Sequence, residues 1–404
     1  MKILHVIPSV SPARGGTSRA VLDMVRALVA SGIDAEIATT NDDGDNLLDV
    51  PLGKSIIYDR VPTYFFSRFS PQLPAVREFA FSGSFTTWLF QNITKYDLIH
   101  VHALFSYTST VAMSLARLKG VPYITTPHGL LCEWSLQQSA QKKQAYLKLI
   151  ERANLDRARA IHVTCEQERD DVAALNLKSP TSILPLALTE MPVAIPDAAN
   201  LLRQSLNCPA DEPIILFLAR LHYKKGLDYL IPALCQLKDR RFTLVIAGTG
   251  TPAYEAEIQA LLKTTGIENR TRMVGFVEGT QKDLLIQGAD LFALTSHSEN
   301  FGIAVLEALI IGTPVLLTPG VGLASVVRDN NLGYVADLNI DAIAQALDRH
   351  LSDPYRSKLM GERARQFAIA NYDWDKIAVD LIRVYQEIAI VAPDGLTIDR
   401  QNIV

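Results

Sequence analysis

The sequence predicts an α/β protein with two doubly wound parallel sheets, each in a domain of its own. Two separate series of alternating strand and helix patterns support this fold class, one in residues 1–186 and one in residues 213–371. Residues 187–212 contain three prolines and separate the two series. A hydrophobic content of 48% and a charged content of 20% suit a chain with two buried cores. We therefore expect two domains that face a common cleft.

The first series opens with a strand over residues 2–7, a loop that contains Gly15 and Gly16, and an amphipathic helix. This βαβ opening predicts a right-handed parallel sheet. Further strands are expected at residues 35–39, 97–102, 123–129, 160–164 and 182–185. The pattern predicts irregular structure for residues 41–58 and a single basic helix for residues 141–160.

The second series repeats this alternation after the proline-rich segment. Its strands are predicted at residues 213–218, 242–247, 272–276, 289–294, 314–317 and 333–335. Helices are predicted between them, and three helices, at 341–351, 355–371 and 374–390, follow the last strand.

The most informative stretch is residues 296–309, where an apolar strand passes into a helix. Glu299, Asn300 and Gly302 lie at this transition, which is where open α/β sheets bind ligands. The unpaired first amides of the helix favour a phosphate, and Gly302 permits close approach of a ligand. Glu299 and Glu307 are both able to accept hydrogen bonds from sugar or ribose hydroxyls. In the alternative interpretation, Glu299 caps the helix and Glu307 is a solvated helix residue.

Three histidines stand at predicted strands of the first series. His100 and His102 alternate onto one face of a strand, as a pair of metal ligands would. Because the sequence shows no third ligand nearby, we interpret them as strand-end histidines. His128 follows another strand and precedes a glycine, which is the position of a site residue.

Charge is divided unevenly between the two series. The net charge is −4, which gives no reason to expect nucleic-acid binding. Residues 1–186 carry 19 Lys and Arg against 17 Asp and Glu, whereas the remainder carries 20 against 26. Residues 60–81 interleave arginine with aromatic residues, and this pattern is typical either of a membrane interface or of an ordered loop packed on the domain. The predicted helix 141–160 places Lys148, Arg152 and Arg159 on one side, either as a solvated face or as a docking face for an anionic surface.

The cysteines and the apolar segments indicate where in the cell the protein is expected. The four cysteines lie far apart, so we expect reduced structural thiols rather than a metal or redox site. The first residues are too soon interrupted by Pro8 for a signal peptide, and no apolar run reaches ~18 residues. We therefore expect a cytoplasmic protein, with peripheral contact at the inner face of the plasma membrane as a further hypothesis.

Four segments together resemble a known enzyme family. They are residues 218–226 (Leu-Ala-Arg-Leu-His-Tyr-Lys-Lys-Gly), Gly248-Thr249-Gly250, Gly275-Phe276-Val277 and the stretch 296–309. In this combination the chain resembles the retaining glycosyltransferases of the GT-B fold, family four, from the Gly15-Gly16 loop to residues 372–374. The resemblance implies an acceptor-binding Rossmann-like domain at 1–186, a linker at 187–212 and a nucleotide-sugar-binding Rossmann-like domain at 213–371. It also implies a helix at 372–392 that crosses back to the first domain, and a tail at 393–404.

The resemblance also implies roles for single residues. Arg220 and Lys225 match the cationic pair that stabilises the donor diphosphate, where charge develops as the sugar bond breaks. Glu299 matches the residue that holds the donor sugar, and His128 matches the histidine that reaches that sugar from the first domain. These four are the expected catalytic residues.

The remaining donor-binding residues follow from the same match. Glu307 is expected to accept from the ribose hydroxyls, and the amides around Asn300, Phe301 and Gly302 to cradle phosphate. The rest of the expected donor site consists of Gly15, Gly16, Gly248, Gly250, Phe276 and Val277, the last two as a wall against the base.

The sequence departs from the family pattern at Ala219, where the family usually has glycine, but alanine is small enough for the site to survive. The sequence contains no Asp-x-Asp metal-diphosphate motif, so we expect neither a metal nor another cofactor, the nucleotide sugar being a substrate. The predicted reaction moves a sugar from a nucleotide-diphosphate donor to a lipid-linked or polysaccharide acceptor with retention, in exopolysaccharide or envelope glycan synthesis. The alternatives are a sugar-nucleotide 2-epimerase of similar fold and a two-lobed sugar-binding protein without catalysis.

Overall fold

The computed structural model describes residues 1–71, 77–188 and 191–390. The chain divides into two compact units. Unit 1 comprises Met1–Thr189 together with Tyr372–Val404, and unit 2 comprises Glu190–Asn371.

Unit 1 is built on an eight-stranded sheet. Its strands, with a separate two-stranded hairpin β3-β4, are β1 Lys2–Val6, β2 Asp34–Thr40, β3 Asp42–Asp43, β4 Asn46–Leu47, β5 Ser55–Tyr58, β6 Val61–Phe66, β7 Leu98–His102, β8 Tyr123–Thr126, β9 Ala160–Val163 and β10 Thr181–Ile183. Its first seven helices are α1 Gly16–Ala30, α2 Gly83–Asn92, α3 Tyr107–Lys119, α4 Glu133–Gln137, α5 Ala140–Tyr146, α6 Arg152–Leu155 and α7 Glu166–Ala173.

The order of the strands in this sheet is β10-β9-β8-β7-β1-β2-β6-β5. All neighbours pair in parallel except β5 and β6, which are antiparallel. The direction of winding reverses between β1 and β7, so the loops that follow these two strands lie at the switch point where such sheets bind ligands.

Residues 41–81 are more regular than the sequence suggests. Residues 41–58, expected to be irregular, supply the hairpin β3-β4 and the strand β5. In the segment 60–81, Phe65 and Phe66 are buried in β6, and the fully buried guanidinium of Arg68 contacts Asp42. Most of this arginine-aromatic segment therefore packs on the unit, although Phe69 is 57% exposed. Residues 72–76 of this segment lie outside the described residues.

The basic stretch 141–160 is not one helix. It consists of α5, a π-helical turn at Leu147–Glu151 and α6, and it ends at Leu155 because the chain then turns into β9. Glu151 is buried in the π-helical turn, where it contacts Thr110 and Asn154. Burial raises the pKa of Glu151. The π-helical turn thus carries a buried carboxyl whose oxygens accept hydrogen bonds from Thr110 and Asn154.

Unit 2 is built on a six-stranded parallel sheet. Its strands are β11 Ile214–Leu218, β12 Thr243–Ala247, β13 Thr271–Gly275, β14 Leu291–Leu294, β15 Val315–Leu317 and β16 Gly333–Val335. Its helices are α8 Ala198–Ser205, α9 Leu227–Gln236, α10 Pro252–Thr265, α11 Gly279–Gly288, α12 Ile303–Ile311, α13 Ala324–Asp329, α14 Ile340–Ser352 and α15 Pro354–Asn371. The strand order is β13-β12-β11-β14-β15-β16, so the winding reverses between β11 and β14.

The segment 187–212, for which a linker is expected, contains a structural helix. Helix α8 packs on α11, and a side chain at Gly288 would collide with Leu202. Arg203 of the same helix bonds to Asp290 at 2.6 Å. These contacts place α8 within unit 2.

The chain ends its described part with α16 Trp374–Ile390, which belongs to unit 1 and packs on α1. Tyr385 of α16 is fully buried, and its hydroxyl lies 2.6 Å from Nδ1 of His100 in β7. The expected tail 393–404 lies outside the described residues. Among the helices that the structure describes, none combines the length and the apolar character needed to cross a bilayer.

Candidate functional site

The candidate site of unit 2 lies at the reversal between β11 and β14. The loop 219–226 follows β11 and the loop 295–302 follows β14, so two adjacent strands deliver both loops to the same edge of the sheet. The hydroxyl of Thr295 donates to the carbonyl of Gly226 at 2.8 Å, and the amide of His297 donates to the carbonyl of Lys224 at 2.8 Å. These bonds hold the two loops side by side.

Lys225 and Glu299 are brought into direct contact by this arrangement. Their side chains are only 13% and 23% exposed. Burial, together with repulsion from Lys224 and Arg220, lowers the pKa of Lys225 to about 7. The carboxylate of Glu299 opposes this shift because it stabilises the ammonium form. The site therefore holds the amine of Lys225 against the carboxylate of Glu299. Arg220 lies five residues before Lys225 in the same loop, and its side chain is exposed.

The backbone around Glu299 is fixed by a third loop. The amide of Glu299 donates to the carbonyl of Gly320 at 2.8 Å, and the amide of Gly322 donates back to the carbonyl of Glu299 at 2.9 Å. A side chain at Gly320 would collide with the carbonyl of His297, so this close approach requires glycine. Glu299 therefore stands on a rigid support rather than on a free loop.

Helix α12 starts where the sequence predicts. Gly302, at φ 91°, precedes its first residue, Ile303, and Gly312, at φ 93°, ends it. Because Gly302 occupies the N-cap position, Glu299 does not cap this helix as the alternative interpretation supposed. Phe301 is only 3% exposed, so its part in a phosphate site is limited to its backbone amide.

Glu307 is not a solvated helix residue. Its side chain is 14% exposed, and its Oε1 lies 2.5 Å from Nζ of Lys282 on α11. Lys282 belongs to the helix that follows the expected base wall, Phe276 and Val277. Phe276 is 67% exposed and Val277 is buried, so only Phe276 offers its ring to a ligand.

The two glycines expected to bind the donor, Gly248 and Gly250, have a packing role. A side chain at Gly248 would collide with the carbonyl of Ala219, and one at Gly250 with the carbonyl of Leu221. The loop after β12 thus runs directly against the loop that carries Arg220. Contact of these glycines with a donor stays a prediction.

In unit 1, the Gly15-Gly16 loop is anchored by charged residues. Gly15 has φ 82° and precedes α1, which begins at Gly16. The guanidinium of neighbouring Arg14 makes two bonds to the carboxylate of Asp42, at 2.6 and 2.8 Å. Asp42 is buried and also contacts Arg68. This arrangement ties the last residues of the loop, just before α1, to the hairpin that follows β2.

His128 stands at the end of β8 with φ 53°, a conformation rare outside glycine. Its Nε2 lies 3.1 Å from Nδ1 of His102, and Nε2 of His102 lies 3.0 Å from Nδ1 of His5. Parallel pairing sets His5 beside His100 on adjacent strands. The expectation that no third histidine lies near His100 and His102 is therefore wrong, because β1 supplies His5 from a distant part of the sequence.

Sequence reasoning missed three contributors, Lys282, His5 and Arg14. Lys282 carries no motif, and only its position in space shows that it meets Glu307. His5 and Arg14 act through strand neighbours that are remote in the chain. The alternation of polar residues on adjacent strand ends was the one signal that pointed to the histidines.

The chain matches two family models. The model described as "Glycosyl transferases group 1" matches residues 199–367, and the "Glycosyl transferase 4-like domain" matches residues 15–187. Together the two matches span most of both units.

Individual relatives cover nearly the whole chain. The chain is 26% identical to a D-inositol 3-phosphate glycosyltransferase of Corynebacterium diphtheriae, over 96% of this chain and 94% of that protein. Among solved structures, a sucrose-phosphate synthase from Thermosynechococcus elongatus superposes with a TM-score of 0.78 at 22% identity, over 96% and 99% of the two chains. Anabaena HepE, in complex with UDP and glucose, gives a TM-score of 0.76 at 20% identity, over 96% and 100%. The two Rossmann-like units therefore have the GT-B fold, and the chain belongs to the group 1 glycosyltransferases.

Proposed function

We propose that the protein transfers a hexosyl group from a nucleotide-diphosphate sugar, bound by unit 2, to a glycan or lipid-linked sugar, with retention of the anomeric configuration. The observation that carries this proposal is the contact of Lys225 with Glu299 at the β11/β14 reversal. It joins the cation expected to bind the diphosphate to the carboxylate expected to bind the sugar. UDP-sugars are the first donors to test, because HepE of the same fold was solved with UDP and glucose.

Arg220 and Lys225 would act on the leaving group. As the bond between the anomeric carbon and the phosphate oxygen breaks, negative charge builds up on the diphosphate. A fixed cation lowers the free energy of that transition state more than that of the bound substrate. An arriving diphosphate also restores the full charge of Lys225, because it adds negative charge beside the ammonium group.

Glu299 would hold the hydroxyls of the donor sugar. Its carboxylate accepts hydrogen bonds, and its backbone is clamped to Gly320 and Gly322. Glu307 would accept from the ribose hydroxyls in the same way, with Lys282 fixing its carboxylate.

Retention follows if donor and acceptor react on one face of the sugar. The acceptor oxygen forms its bond to the anomeric carbon on the side from which the phosphate departs. The acceptor proton passes to the departing phosphate oxygen, so no protein nucleophile is needed and charge is balanced.

The acceptor would be bound by unit 1, as a lipid-linked or polysaccharide chain in exopolysaccharide or cell-envelope glycan synthesis. Its support is the excess of basic residues in 1–186 and the family resemblance. The enzyme would act in the cytoplasm and need no metal, because cationic side chains and the N-terminus of α12 face the diphosphate charge.

Donor use is tested by thermal shift with UDP-, GDP- and ADP-sugars, followed by nucleoside diphosphate release with and without acceptor glycans. We expect release that depends on acceptor and persists in excess EDTA. Conversion of the nucleotide sugar to its 2-epimer, or binding without release, would support the two alternatives instead. Loss of activity in EDTA that magnesium or manganese restores would contradict the metal-free mechanism.

Weak contact with an anionic membrane is a further part of the proposal. Leu149 is 78% exposed and Ile150 40% exposed in the π-helical turn, beside the exposed Lys148. An apolar tip next to a basic side chain suits an anionic lipid surface, where each basic side chain contributes ~1 kcal/mol.

Vesicle flotation at low salt tests this contact. We expect recovery with anionic vesicles, and loss of that recovery in the double variant Lys148→Glu, Leu149→Ser. The matched control is Leu118→Ser with Lys119→Glu, because Leu118 is likewise 71% exposed beside a lysine on another helix. Equal loss in both variants, or no flotation at all, would show that this turn is not a docking site.

A further inference from the structure

Unit 1 contains a network of five histidines, four on the strands β1, β7 and β9 and one just after β8. We call His5, His100, His102, His128 and His162, with Thr126 and Tyr385, the histidine network. Every member except His128 is at most 2% exposed. The network divides into two hydrogen-bonded chains, and the only partly exposed end is His128.

In the first hydrogen-bonded chain, which runs from His162 through Thr126 and His100 to Tyr385, the carbonyl of Leu184 fixes the position of every proton. Nε2 of His162 lies 2.8 Å from the carbonyl of Leu184, which only accepts, so Nε2 carries the proton. Nδ1 of a neutral His162 then accepts from the hydroxyl of Thr126 at 3.0 Å. The Thr126 oxygen in turn accepts from Nε2 of His100 at 2.7 Å, so Nδ1 of His100 accepts from Tyr385 at 2.6 Å.

The histidines must be neutral for this assignment to hold. Burial, followed by repulsion between the rings, lowers the pKa of His5 to about 3. The same causes lower the pKa values of His100, His102 and His128, and burial lowers that of His162 to about 4. Each ring therefore has one N–H and one bare nitrogen.

The second chain runs from His5 through His102 to His128, and it has two possible proton orders. In one order His5 donates to His102 and His102 donates to His128. In the other order the donors are reversed, which leaves an N–H on Nε2 of His5. That atom is buried and has no hydrogen-bond partner among the described residues. An orphaned buried N–H is rare because its desolvation is not repaid, so the first order is favoured.

We propose that His102, with His5 behind it, is a positioning residue that fixes His128 as the tautomer protonated on Nδ1. His128 then offers a hydrogen-bond donor from Nδ1 to a ligand oxygen, and its Nε2 is occupied by His102. In the proposed function, on which this use of the donor rests, His128 donates to a sugar oxygen and does not act as a base.

A metal ion is the competing occupant, since nitrogens of His5, His100 and His102 lie within 4.8 Å of one another. The contacts within the described residues argue against it. Both ring nitrogens of His100 are already bonded, to Tyr385 and Thr126, and His5 lies at hydrogen-bond distance from His102. Among the residues that the structure describes, the partners of the five rings are one another, Thr126, Tyr385 and the carbonyl of Leu184, and this set contains no carboxylate to balance a divalent charge.

Two-bond ¹H–¹⁵N NMR spectra of the full chain labelled with ¹⁵N-histidine test the proposal directly. We expect a protonated, pyrrole-type shift for Nδ1 of His128 and a pyridine-type shift for its Nε2. The signals are assigned by single substitutions of the eight histidines. The opposite pattern in the unmodified protein, or a stoichiometric divalent metal in the purified protein, would overturn the proposal without any variant.

The variant His102→Leu should release His128, which then shows both tautomers. If the proposed function holds, its KM for the nucleotide sugar should rise about threefold to tenfold, the loss of one neutral hydrogen bond. Its affinity for the nucleoside diphosphate alone should not change. The control is Tyr385→Phe, which removes a hydroxyl at equal depth from the other chain and should leave the His128 tautomer intact. An unaltered His128 tautomer in His102→Leu would contradict the positioning role, whereas an expected NMR result without transferase activity would contradict only the proposed function.

Discussion

The histidine network of unit 1 lies mostly within the strands of its sheet, whereas the ion pairs of unit 2 lie in loops and helices next to its sheet, and the two are built from opposite chemistry. The network is neutral and almost entirely buried, and its chains of donors and acceptors run across adjacent strands. The pairs Lys225–Glu299 and Lys282–Glu307 are charged and remain 13% to 29% exposed.

The difference follows from the cost of burying charge. A neutral hydrogen-bonded network loses little on burial when its members satisfy one another, whereas a buried ion pays a desolvation penalty of several kcal/mol. Unit 2 keeps its charges near solvent, where they can exchange a protein partner for a ligand. In the proposed function, the histidine network would orient a ligand and the ion pairs of unit 2 would stabilise the charge of the diphosphate.

Acid should destabilise the protein through the network, and this is the largest effect we expect. His5, His100, His102 and His162 have pKa values lowered in the folded state, so the unfolded chain binds more protons once the pH falls below about 6.5. Their contribution to stability is complete above that pH and is lost as the pH falls towards the folded-state values. Each contributes a slope of ~1.4 kcal/mol per pH unit, measurable by urea unfolding at a series of pH values.

The variant His5→Leu should reduce the slope of the unfolding free energy against pH by the contribution of one histidine, ~1.4 kcal/mol per pH unit. The control is His297→Gln, because His297 is only half-buried and lies outside the network. A free energy of unfolding that does not change between about pH 6.5 and about pH 5 would show that the folded network takes up protons as readily as the unfolded chain, which contradicts this prediction.

The variant Glu299→Gln tests the role of the Lys225–Glu299 pair in unit 2. Loss of a charge-assisted hydrogen bond costs roughly 1.5–3 kcal/mol, so kcat/KM should fall about 10- to 150-fold. The fold should survive, because the backbone bonds of Glu299 to Gly320 and Gly322 do not involve its side chain. The control is the exposed Glu257→Gln, and a wild-type kcat/KM in Glu299→Gln would rule out the proposed role.

Lys282→Met should have a smaller effect, confined to the nucleotide. The partly exposed pair with Glu307 contributes ~0.2–1 kcal/mol, so affinity for a nucleoside diphosphate should fall about 1.5- to fivefold. Because Glu307 is the predicted ribose ligand, discrimination against the 2′-deoxynucleotide should also shrink, as calorimetry would show. Lys282→Arg should retain most of the nucleotide affinity and of the discrimination against the 2′-deoxynucleotide. Gln281→Met, on the exposed side of α11, should change neither quantity. Unchanged discrimination in Lys282→Met would show that the lysine does not position Glu307.

The sequence predicted the six strands of unit 2 and six of the eight strands of the large sheet in unit 1, with small shifts at their ends, because apolar periodicity and turn residues are local signals. It did not predict β5 and β6, and it predicted one helix where the structure has α5, a π-helical turn and α6. It placed Glu299 and Gly302 at a strand-to-helix transition, and the structure puts them there. It failed where burial of polar groups overrode the local pattern. Arg68 and Glu151 look like surface residues in the sequence, but their partners Asp42 and Thr110 lie elsewhere in the chain.

By itself, then, the sequence determined the fold class, the order of the strands in unit 2 and the loops that carry Arg220, Lys225 and Glu299. Only the tertiary structure decided which side chains meet. Parallel pairing brings His5 beside His100, and the packing of α11 against α12 brings Lys282 to Glu307. Neither contact leaves a trace in local periodicity, because each joins residues whose positions are fixed by the strand order and helix packing of a whole unit.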